Sequence, residues 1–376
     1  MSEAVVRAAG KELSNWLVTE AYPLWSICGV DRVHGGFHES LDQKGRPHYE
    51  PRRIRVQARQ VYSFARAPAL GWKGDAAELV KAGLAYIRAH YRRPDGLYRT
   101  LVAPDGTALD DRVVLYDQTF VLLALAASRN VLGPQPELVR EAVHLREALE
   151  ERLKRSNGGF NSGTPDALPL LANPHMHLLE ACLAWAESDT DPAWRRLVDE
   201  LCALTLRRLV DSNTGAIREQ FNPQWVALGS DVGPAVEPGH LFEWAWLLFR
   251  ADGGARGELF RCAERLVEIG ETYGIHGGVG VMALLEDLQL SDGSARLWVQ
   301  TERVKAALYI ARHSDQPARM ATAEAAIRGL QRFFDTPMRG LWHDLLSDRG
   351  HFVAGRSPAS TFYHIVCAVA ELAAFR

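Results

Sequence analysis

The segment EPGHLFEWAWLLFR, residues 237–250, combines a helix start with an apolar run. Proline is accepted in the first turn of a helix, because the N–H group that it lacks would have no partner there. After Gly239 the segment is apolar on nearly every side, which is typical of a helix buried on all faces. Two polar residues, His240 and Glu243, nevertheless lie three positions apart in its first turns. The segment therefore predicts an inner helix whose N-terminal end carries polar side chains.

Units built around such a helix recur six times along the chain. Each unit starts at a glycine followed by an apolar or aromatic residue, and successive glycines lie 56 to 63 residues apart. Turn-rich stretches such as DQKG or APDG come next and indicate short hairpins or extended loops. An internal repeat of this length indicates a ring or array of equivalent units. The anchoring glycines are Gly36, Gly96, Gly159, Gly215, Gly278 and Gly340.

Each unit then continues with an apolar helix and an amphipathic one. We expect the apolar helices near 52–70, 114–129, 173–187, 237–251, 295–313 and 359–375. We expect the amphipathic helices near 75–91, 136–154, 192–210, 255–272 and 317–335, with the N-terminal segment 4–21 as the sixth. These twelve segments predict an all-α fold, an (α/α)6 barrel with short β-hairpins at the loops, in a single catalytic domain over residues 1–376. An open helical solenoid is the alternative.

Composition and charge narrow the function classes. The chain carries a formal net charge of -3, so we expect no nucleic-acid or membrane partner. Its five cysteines include no C-x-x-C pair, which is typical of free thiols in a reducing compartment. The N-terminal segment lacks a signal-peptide pattern, and no apolar run reaches the length of a membrane span. We expect a cytoplasmic enzyme, for which a homodimer is one state that the sequence allows.

Polar residues occur near the start of each inner helix, at similar distances from the anchoring glycines. Because the inner helices of such a barrel run parallel, these side chains should converge at one end. Helix N-termini there present unpaired N–H groups and a positive dipole end, which suits a polar ligand. The converging residues are Arg59, Asp117, His177, His240, Gln300 and His364. The aromatic residues nearby, which suit the faces of a sugar ring, are Tyr116, Trp244, Trp298 and Tyr363.

The third and fourth inner helices share a proline followed by H-L-x-E. Residues three apart lie on one helix face, so each carboxylate is expected to orient its imidazole and raise the imidazole pKa. The pairs are His177 with Glu180, and His240 with Glu243. His175 lies two residues before His177, and we favour His177 because of its carboxylate at i+3.

Histidines around a polar funnel suggest proton transfer on a sugar. One histidine removes the proton at C2 of an open-chain aldose, and Arg59 with the helix N-termini stabilises the enediolate. Returning the proton to C1 gives a ketose, and returning it to the opposite face of C2 gives the epimer. A glycoside hydrolase using Asp117, Glu180 or Glu243 and a catalytically silent sugar-binding protein are the alternatives. H-x-x-E differs from the H-E-x-x-H zinc pattern, and no phosphate or dinucleotide loop occurs, so we expect no metal and no cofactor.

Several segments resemble the N-acylglucosamine 2-epimerase superfamily, over essentially the whole chain. Its members include mannose isomerases, sulfoquinovose isomerases and cellobiose 2-epimerases, and the H at 177 is most similar to the mannose isomerase and cellobiose epimerase branches. The family fold is an (α/α)6 barrel, in agreement with the repeat. The matching segments are RVQARQVYSFA (55–65), NPHMHLLEA (173–181), EPGHLFEWAWLL (237–248), LWVQTERVKAA (297–307) and STFYHI (360–365).

The resemblance implies that His240 and His364 form the acid–base pair, with Glu243 supporting His240. It implies that His177 assists ring opening or binding and that Arg59 contacts the sugar oxygens. The expected activity is interconversion of a free aldose and ketose, D-mannose and D-fructose, through a cis-enediolate. A 2-epimerase acting on mannose or glucose, cellobiose or N-acylglucosamine is the alternative. The full set of expected substrate-binding residues is Arg59, Asn173, Glu180, Trp298, Asp117, Tyr116 and Trp244.

A run of arginines leaves the charge of the sugar open. Arg52, Arg53 and Arg55 directly precede or begin the first inner helix. They face solvent or bind a phosphate or sulfonate, and a charged sugar therefore stays among the candidate substrates.

Overall fold

The computed structural model describes residues 2–165, 167–313 and 316–375. Most of its secondary structure is helical, and a π-helical turn, Leu17–Ala21, joins the first two helices. The helices are α1 Ser2–Trp16, α2 Tyr22–Cys28, α3 Ile54–Arg66, α4 Ala76–His90, α5 Leu115–Leu132, α6 Pro136–Leu153, α7 Ala172–Ala186, α8 Pro192–Leu204, α9 Pro238–Asp252, α10 Glu258–Tyr273, α11 Leu297–Arg312, α12 Pro317–Gln331 and α13 Ala359–Ala373.

Six of these helices form a closed inner ring. In ring order they are α3, α5, α7, α9, α11 and α13; each packs against the next, and α13 packs against α3. The outer helices α4, α6, α8, α10 and α12 pack against the inner helices, and α1 packs against α12 and α13. The predicted (α/α)6 barrel is confirmed, and the open solenoid is excluded because the last inner helix contacts the first.

Short antiparallel strands link neighbouring units at one end of the ring. The strand before an inner helix pairs with a strand of the following unit, as β2 does with β3. Pairing of β1 with β15 joins the first unit to the last. The strands are β1 Ser40–Leu41, β2 Arg52–Arg53, β3 Leu101–Val102, β4 Ala108–Asp110, β5 Val113–Val114, β6 Gly163–Thr164, β7 Leu170–Leu171, β8 Gln220–Phe221, β9 Ile275–His276, β10 Val279–Gly280, β11 Ala283–Leu284, β12 Leu290–Asp292, β13 Ala295–Arg296, β14 Leu345–Leu346 and β15 Ser357–Pro358.

The glycines that mark the repeat have a common backbone conformation. All six anchoring glycines have φ between 68° and 88°. A side chain at this φ is strained, whereas glycine adopts it freely. A turn with this backbone conformation favours glycine, which explains why a glycine recurs at the same place in each unit.

Side-chain amides tie these turns to the inner helices. Gln57 accepts a hydrogen bond from the Phe37 N–H and donates one to the Phe37 carbonyl, each at 2.8 Å. Gln118 forms the same pair of bonds with Tyr98, and Gln300 with Gly280. Buried backbone groups without partners are costly, so these amides stabilise the turn and fix its height on the helix.

The apolar inner helices bury nearly all of their side chains. On α9, for example, Phe242, Trp244 and Leu247 are completely buried. Among the described residues, no helix has the length and hydrophobicity needed to cross a membrane.

Candidate active site

A cavity of about 370 Å³ opens at the N-terminal ends of the inner helices. All six of these helices, or the residues that directly precede them, contribute to its wall. The lining residues are Arg53, Arg55, Arg59, Tyr116, Asn173, His177, Glu237, His240, Glu243, Met282, Arg296, Trp298, Ser360, Thr361 and His364. The polar end that the sequence predicts is therefore a real cavity, and the three histidines converge there.

His240 is held by a glutamate from the fourth glycine turn. Its Nδ1 lies 3.0 Å from Oε2 of Glu219 and 3.7 Å from Oε2 of Glu237. Burial by itself would lower the pKa of His240, but the negative charges of Glu219 and Glu237 outweigh it and hold this pKa well above its usual value. The imidazole is therefore positively charged at neutral pH.

On the cavity side, Nε2 of His240 lies 3.2 Å from Nδ2 of Asn173. A neutral ring accepts a hydrogen bond from this amide. A charged ring donates there instead, and needs the amide turned around. Turning it brings Oδ1 of Asn173, which has no hydrogen-bond partner in its present orientation, to the ring. Asn173 can thus serve both protonation states.

Nδ1 of His240 contacts Glu219 rather than Glu243, its partner at i+3, and Glu243 approaches Nδ1 of His177 at 3.9 Å. Burial, with Glu302 nearby, raises the pKa of Glu243 well above its usual value and so disfavours its charged form. A negative charge on Glu243 still raises the pKa of His240. The support of His240 by Glu243 therefore stays a prediction.

His364 has the opposite environment. Its Nδ1 lies 2.8 Å from Oε1 of Glu302, whose second oxygen lies 2.5 Å from Nζ of Lys305. Burial lowers the pKa of His364 well below its usual value, and the positive charges of Arg59 and Lys305 lower it further. The ring is neutral, and with its Nδ1 proton donated to Glu302 its basic nitrogen is Nε2.

His177 forms the i, i+3 pair that the sequence predicts. Its Nδ1 lies 3.1 Å from Oε2 of Glu180, and the Tyr363 hydroxyl donates to the other oxygen of that carboxylate. Burial lowers the pKa of His177 to about 4, despite the opposing effect of Glu180. Burial raises the pKa of Glu180, but the hydrogen bond from His177 and its charge bring it down to about 2. A neutral imidazole therefore donates to an ionised carboxylate.

Trp298 lies between the two oppositely shifted histidines. Its ring centre is 5.2 Å from that of His240 and 5.8 Å from that of His364. Across the cavity, Arg59 donates to the Tyr116 hydroxyl at 2.7 Å and stacks over Phe120 at 4.1 Å. Both histidines therefore lie close to a sugar that stacks on Trp298.

Three of the predicted substrate-binding residues lie outside the cavity lining. Asp117 is fully buried and pairs with Arg55 at 2.9 Å, and it also accepts from Thr100. Glu180 lies behind His177 and borders a second cavity at the other end of the barrel. Trp244 is fully buried, because its side of α9 packs into the core. The structure places Asp117 against Arg55, Glu180 against His177 and Trp244 in the core, so a direct contact of these three residues with substrate stays a prediction that the cavity lining does not support.

Three further sequence-selected residues are structural. His175 accepts from the Phe160 N–H at 2.9 Å, as Gln57 and its equivalents do in their units, so His177 and not His175 faces the cavity. Gln300 binds its glycine turn. Arg52 is 1% exposed and pairs with Asp31, so of the three arginines only Arg53 and Arg55 line the cavity.

Sequence reasoning missed Glu219 and Glu302, the carboxylates that contact Nδ1 of His240 and of His364, and Glu219 is also a main cause of the raised pKa of His240. Glu302 and Lys305 are charged residues in a helix that the sequence predicts to be buried. Buried charges of this kind indicate a functional or paired position, so they could have been found from the sequence. Glu219 follows Ile217 by two residues. An alignment of the repeat would have placed it level with Glu39, which follows Phe37 by two.

Three groups of buried or half-buried residues have the spacing of metal ligands. In each, the ligand atoms lie within 4.8 Å of one another. In two of these groups a side chain already supplies the positive charge that a metal ion would bring to the carboxylates. Lys305 lies beside Glu302, and His240 is charged between its glutamates. The groups are His177, Glu180 and Glu243; Glu219, Glu237 and His240; and Glu243, Glu302 and His364.

The chain is similar to known sugar isomerases and epimerases. The model of the N-acylglucosamine 2-epimerase (GlcNAc 2-epimerase) family matches residues 35–368. A mannose-6-phosphate isomerase of Rhizobium meliloti (strain 1021) is 45% identical over 370 residues, covering 96% of each chain. A D-mannose isomerase of Thermobifida fusca is 29% identical over 255 residues, which cover 63% of this chain and 62% of that protein.

Solved structures share the fold. The cellobiose 2-epimerase of Spirochaeta thermophila superposes with a TM-score of 0.87 at 22% identity, covering 98% of this chain and 97% of that one. A D-mannose isomerase superposes with a TM-score of 0.89 at 19% identity, covering 96% and 97%.

Proposed function

The chain belongs to the N-acylglucosamine 2-epimerase family, and from this premise we propose that it is an aldose–ketose isomerase that interconverts mannose and fructose, either free or as their 6-phosphates. The observation that carries the proposal is the opposite shift of two histidine pKa values on either side of Trp298. Groups whose environments push their pKa values apart are suited to act as acid and base at one pH.

We assign the base role to His364 and the acid role to His240. Neutral His364 removes the proton from C2 of the open-chain aldose, while charged His240 gives a proton to O1, and an enediol forms. His364 then returns its proton to C1, and His240, now neutral, takes the proton of the O2 hydroxyl. The product is the 2-ketose, and both histidines regain their starting states. Arg59 and the helix N-termini stabilise negative charge on the oxygens during these transfers.

His177 has a separate role in this scheme. Its neutral ring is oriented by Glu180 and moves a proton from the O1 hydroxyl to the ring oxygen as the pyranose opens. Trp298 and Tyr116 hold the sugar faces, and Asn173 holds His240. Because all six inner helices contribute, we further propose that the whole ring acts as one catalytic domain.

A 2-epimerase is the second candidate, since the family model and the cellobiose epimerase share this fold. Epimerisation needs a proton delivered to the opposite face of C2, and a charged His240, which also contacts Trp298, can deliver it. Both reactions start with one base and one acid, so the relatives named as mannose-6-phosphate isomerase and D-mannose isomerase are what favours the isomerase.

NMR of mannose incubated with the enzyme in heavy water tests the proposal. We expect fructose with deuterium or transferred hydrogen at C1.

His364→Asn should lower kcat roughly 10²- to 10⁴-fold, whereas His276→Asn, which changes an exposed histidine, should not. Dialysis against a chelator should leave the rate unchanged, because no step uses a metal. Glucose without fructose would establish the epimerase instead, and binding without turnover would establish a sugar-binding protein.

A homodimer and a cytoplasmic location remain predictions. Light scattering of the purified chain and fractionation of the cells that produce it test them.

A further inference from the structure

The cavity has a positively charged wall formed by one helix. Arg55 and Arg59 on α3, with Arg53 directly before it, line the cavity. Arg53 pairs with Glu39 at 2.6 Å, and Arg55 pairs with Asp117 at 2.9 Å. Within the described ranges no carboxylate pairs with Arg59, which binds the Tyr116 hydroxyl and a backbone carbonyl. This wall therefore carries one more positive charge than its partners neutralise.

The opposite wall has a different character. In ring order, α9 stands three helices from α3, so the two face each other across the cavity. From α9 and the residue before it, Glu237, His240 and Glu243 line the cavity. Burial raises the pKa of Glu237 to about 7, and Glu219 nearby adds to that rise, so this carboxyl is partly charged at neutral pH. The positive charge of His240 on this wall is paired with Glu219, whereas Arg59 on the α3 wall has no carboxylate partner among the described residues. The anionic end of a substrate is therefore attracted toward α3, with its other end toward His240.

The α3 side also has room for a substituent. A groove of about 660 Å³ adjoins the cavity and shares Arg55, Tyr116 and Asn173 with it. Its remaining wall comes from residues 112–114 and from the loop between β6 and α7. A group larger than a hydroxyl can therefore extend from the sugar past Arg55.

We propose that the substrate carries a phosphate at C6, held by Arg53 and Arg55. This inference rests on the proposed isomerase function, because the reacting carbons must lie at His240 and His364. C6 is four bonds from C2, at the end of the sugar remote from those carbons. Each arginine is fixed on one side by a carboxylate: Arg53 uses Nε and Nη2 for Glu39, and Arg55 uses Nη1 for Asp117.

The N–H groups that remain on each guanidinium suit phosphate. Arginine presents planar forks of donors that match phosphate oxygens, and a guanidinium held in place loses little entropy on binding. Among the described residues, no hydrogen-bond partner contacts Nη1 of Arg53 or Nε and Nη2 of Arg55. The name of the relative from Rhizobium meliloti fits this chemistry.

The test is the ratio of kcat/KM for mannose 6-phosphate to kcat/KM for mannose, measured in one preparation. This ratio does not depend on the fraction of folded enzyme. We expect a wild-type ratio well above one, and a fall of roughly 10- to 100-fold in Arg55→Met combined with Asp117→Asn. The second substitution prevents an unpaired buried carboxylate. Arg53→Met with Glu39→Gln has the same expected result. Arg88→Met with Glu141→Gln removes a comparable pair from outer helices and should leave the ratio unchanged.

Each outcome decides between the proposals. Conversion of mannose at least as efficient as that of its phosphate, or a ratio that the paired variants leave unchanged, overturns the phosphate site alone. Higher efficiency with a hexose 6-sulfonate than with the phosphate replaces phosphate by sulfonate. If neither sugar yields a ketose, the isomerase function fails, and the phosphate site fails with it.

Discussion

At the residue scale, the charges around each histidine set its pKa. His240 and His364 both lie near the N-terminal ends of inner helices, and both are more than nine-tenths buried. Nδ1 of His240 lies close to Glu219 and Glu237, whose negative charges raise its pKa. His364 also contacts a glutamate, but burial and nearby positive charges, that of Lys305 among them, lower its pKa. Two similar side chains thus differ in charge near neutral pH.

Removing Glu219 should therefore change the acid specifically. Glu219→Gln takes away the hydrogen-bonded negative charge and lowers the pKa of His240. The activity, which falls as pH rises through that pKa, should then be lost at lower pH, with kcat down roughly 10²-fold near neutrality. Glu268→Gln, on the exposed face of the outer helix α10, is the matched control. It removes a carboxylate that does not act on His240, so the ring ¹⁵N shifts should report the same His240 pKa as in the wild type. Equal shifts in both variants would contradict the assignment of Glu219.

At the element scale, the inner helices are held in register by polar ties to the glycine turns. The first, second and fifth units use a glutamine. The third unit uses His175 instead, which binds the Phe160 N–H and the Leu171 carbonyl. Register matters for function, because a shift of one residue on α7 would carry His177 out of the cavity wall. The ties thus connect a structural repeat to the height of the catalytic groups.

Replacements of His175 should separate this tie from catalysis. His175→Gln should keep nearly wild-type stability, since glutamine makes the same bonds in other units. His175→Leu should lose about 1–3 kcal/mol of unfolding free energy in urea titrations. Both should keep their activity per folded molecule, whereas His177→Gln should not. If His175→Leu were as stable as the glutamine variant, the hydrogen bonds of His175 to the glycine turn would not stabilise the fold.

The pH dependence of stability gives an independent check. Burial lowers the folded-state pKa of His175 to about 4, below the ordinary 6.5. The unfolded chain then binds the proton first, so the contribution of the neutral ring is complete above about 6.5 and is lost as pH falls toward 4. His175→Gln should lose less stability than the wild type over that interval.

At the scale of the whole molecule, the N-terminal segment completes the outer layer. The sixth unit ends after α13, and α1 packs against α12 and α13 in place of a twelfth helix from that unit. Val6, Leu13 and Leu17 bury their side chains there. The two ends of the chain therefore depend on each other, although they lie furthest apart in sequence.

A cavity where the N-terminal segment packs against α12 and α13 should lower the stability of the protein. Leu17→Ala should reduce the free energy of unfolding by about 2–5 kcal/mol. Ile27→Ala, in the next helix α2 and 68% exposed, should change it by no more than about 0.5 kcal/mol. Thermal or urea unfolding measures both. Wild-type stability in Leu17→Ala would mean that the N-terminal segment does not complete the ring in solution.

The sequence by itself determined the repeat, the inner and outer helices, and the end of the barrel at which polar residues gather. Glycines that alone accept a positive φ and helices that are apolar all round are local properties, so they can be recognised along the chain. The pair of His177 with Glu180 is local in the same sense, since three residues on a helix fix the contact.

Only the tertiary structure decided which carboxylate meets which histidine. Glu219 is 21 residues from His240, and Glu302 is 62 residues from His364. Asp117 and Trp244, one on a packed helix face and one in the core, could not be separated from cavity residues by their spacing alone. The pKa of a buried group depends on charges brought close by folding, because desolvation strengthens every interaction around it. The positions of the acid and the base could therefore be predicted from the sequence, whereas their charges depend on the closed ring.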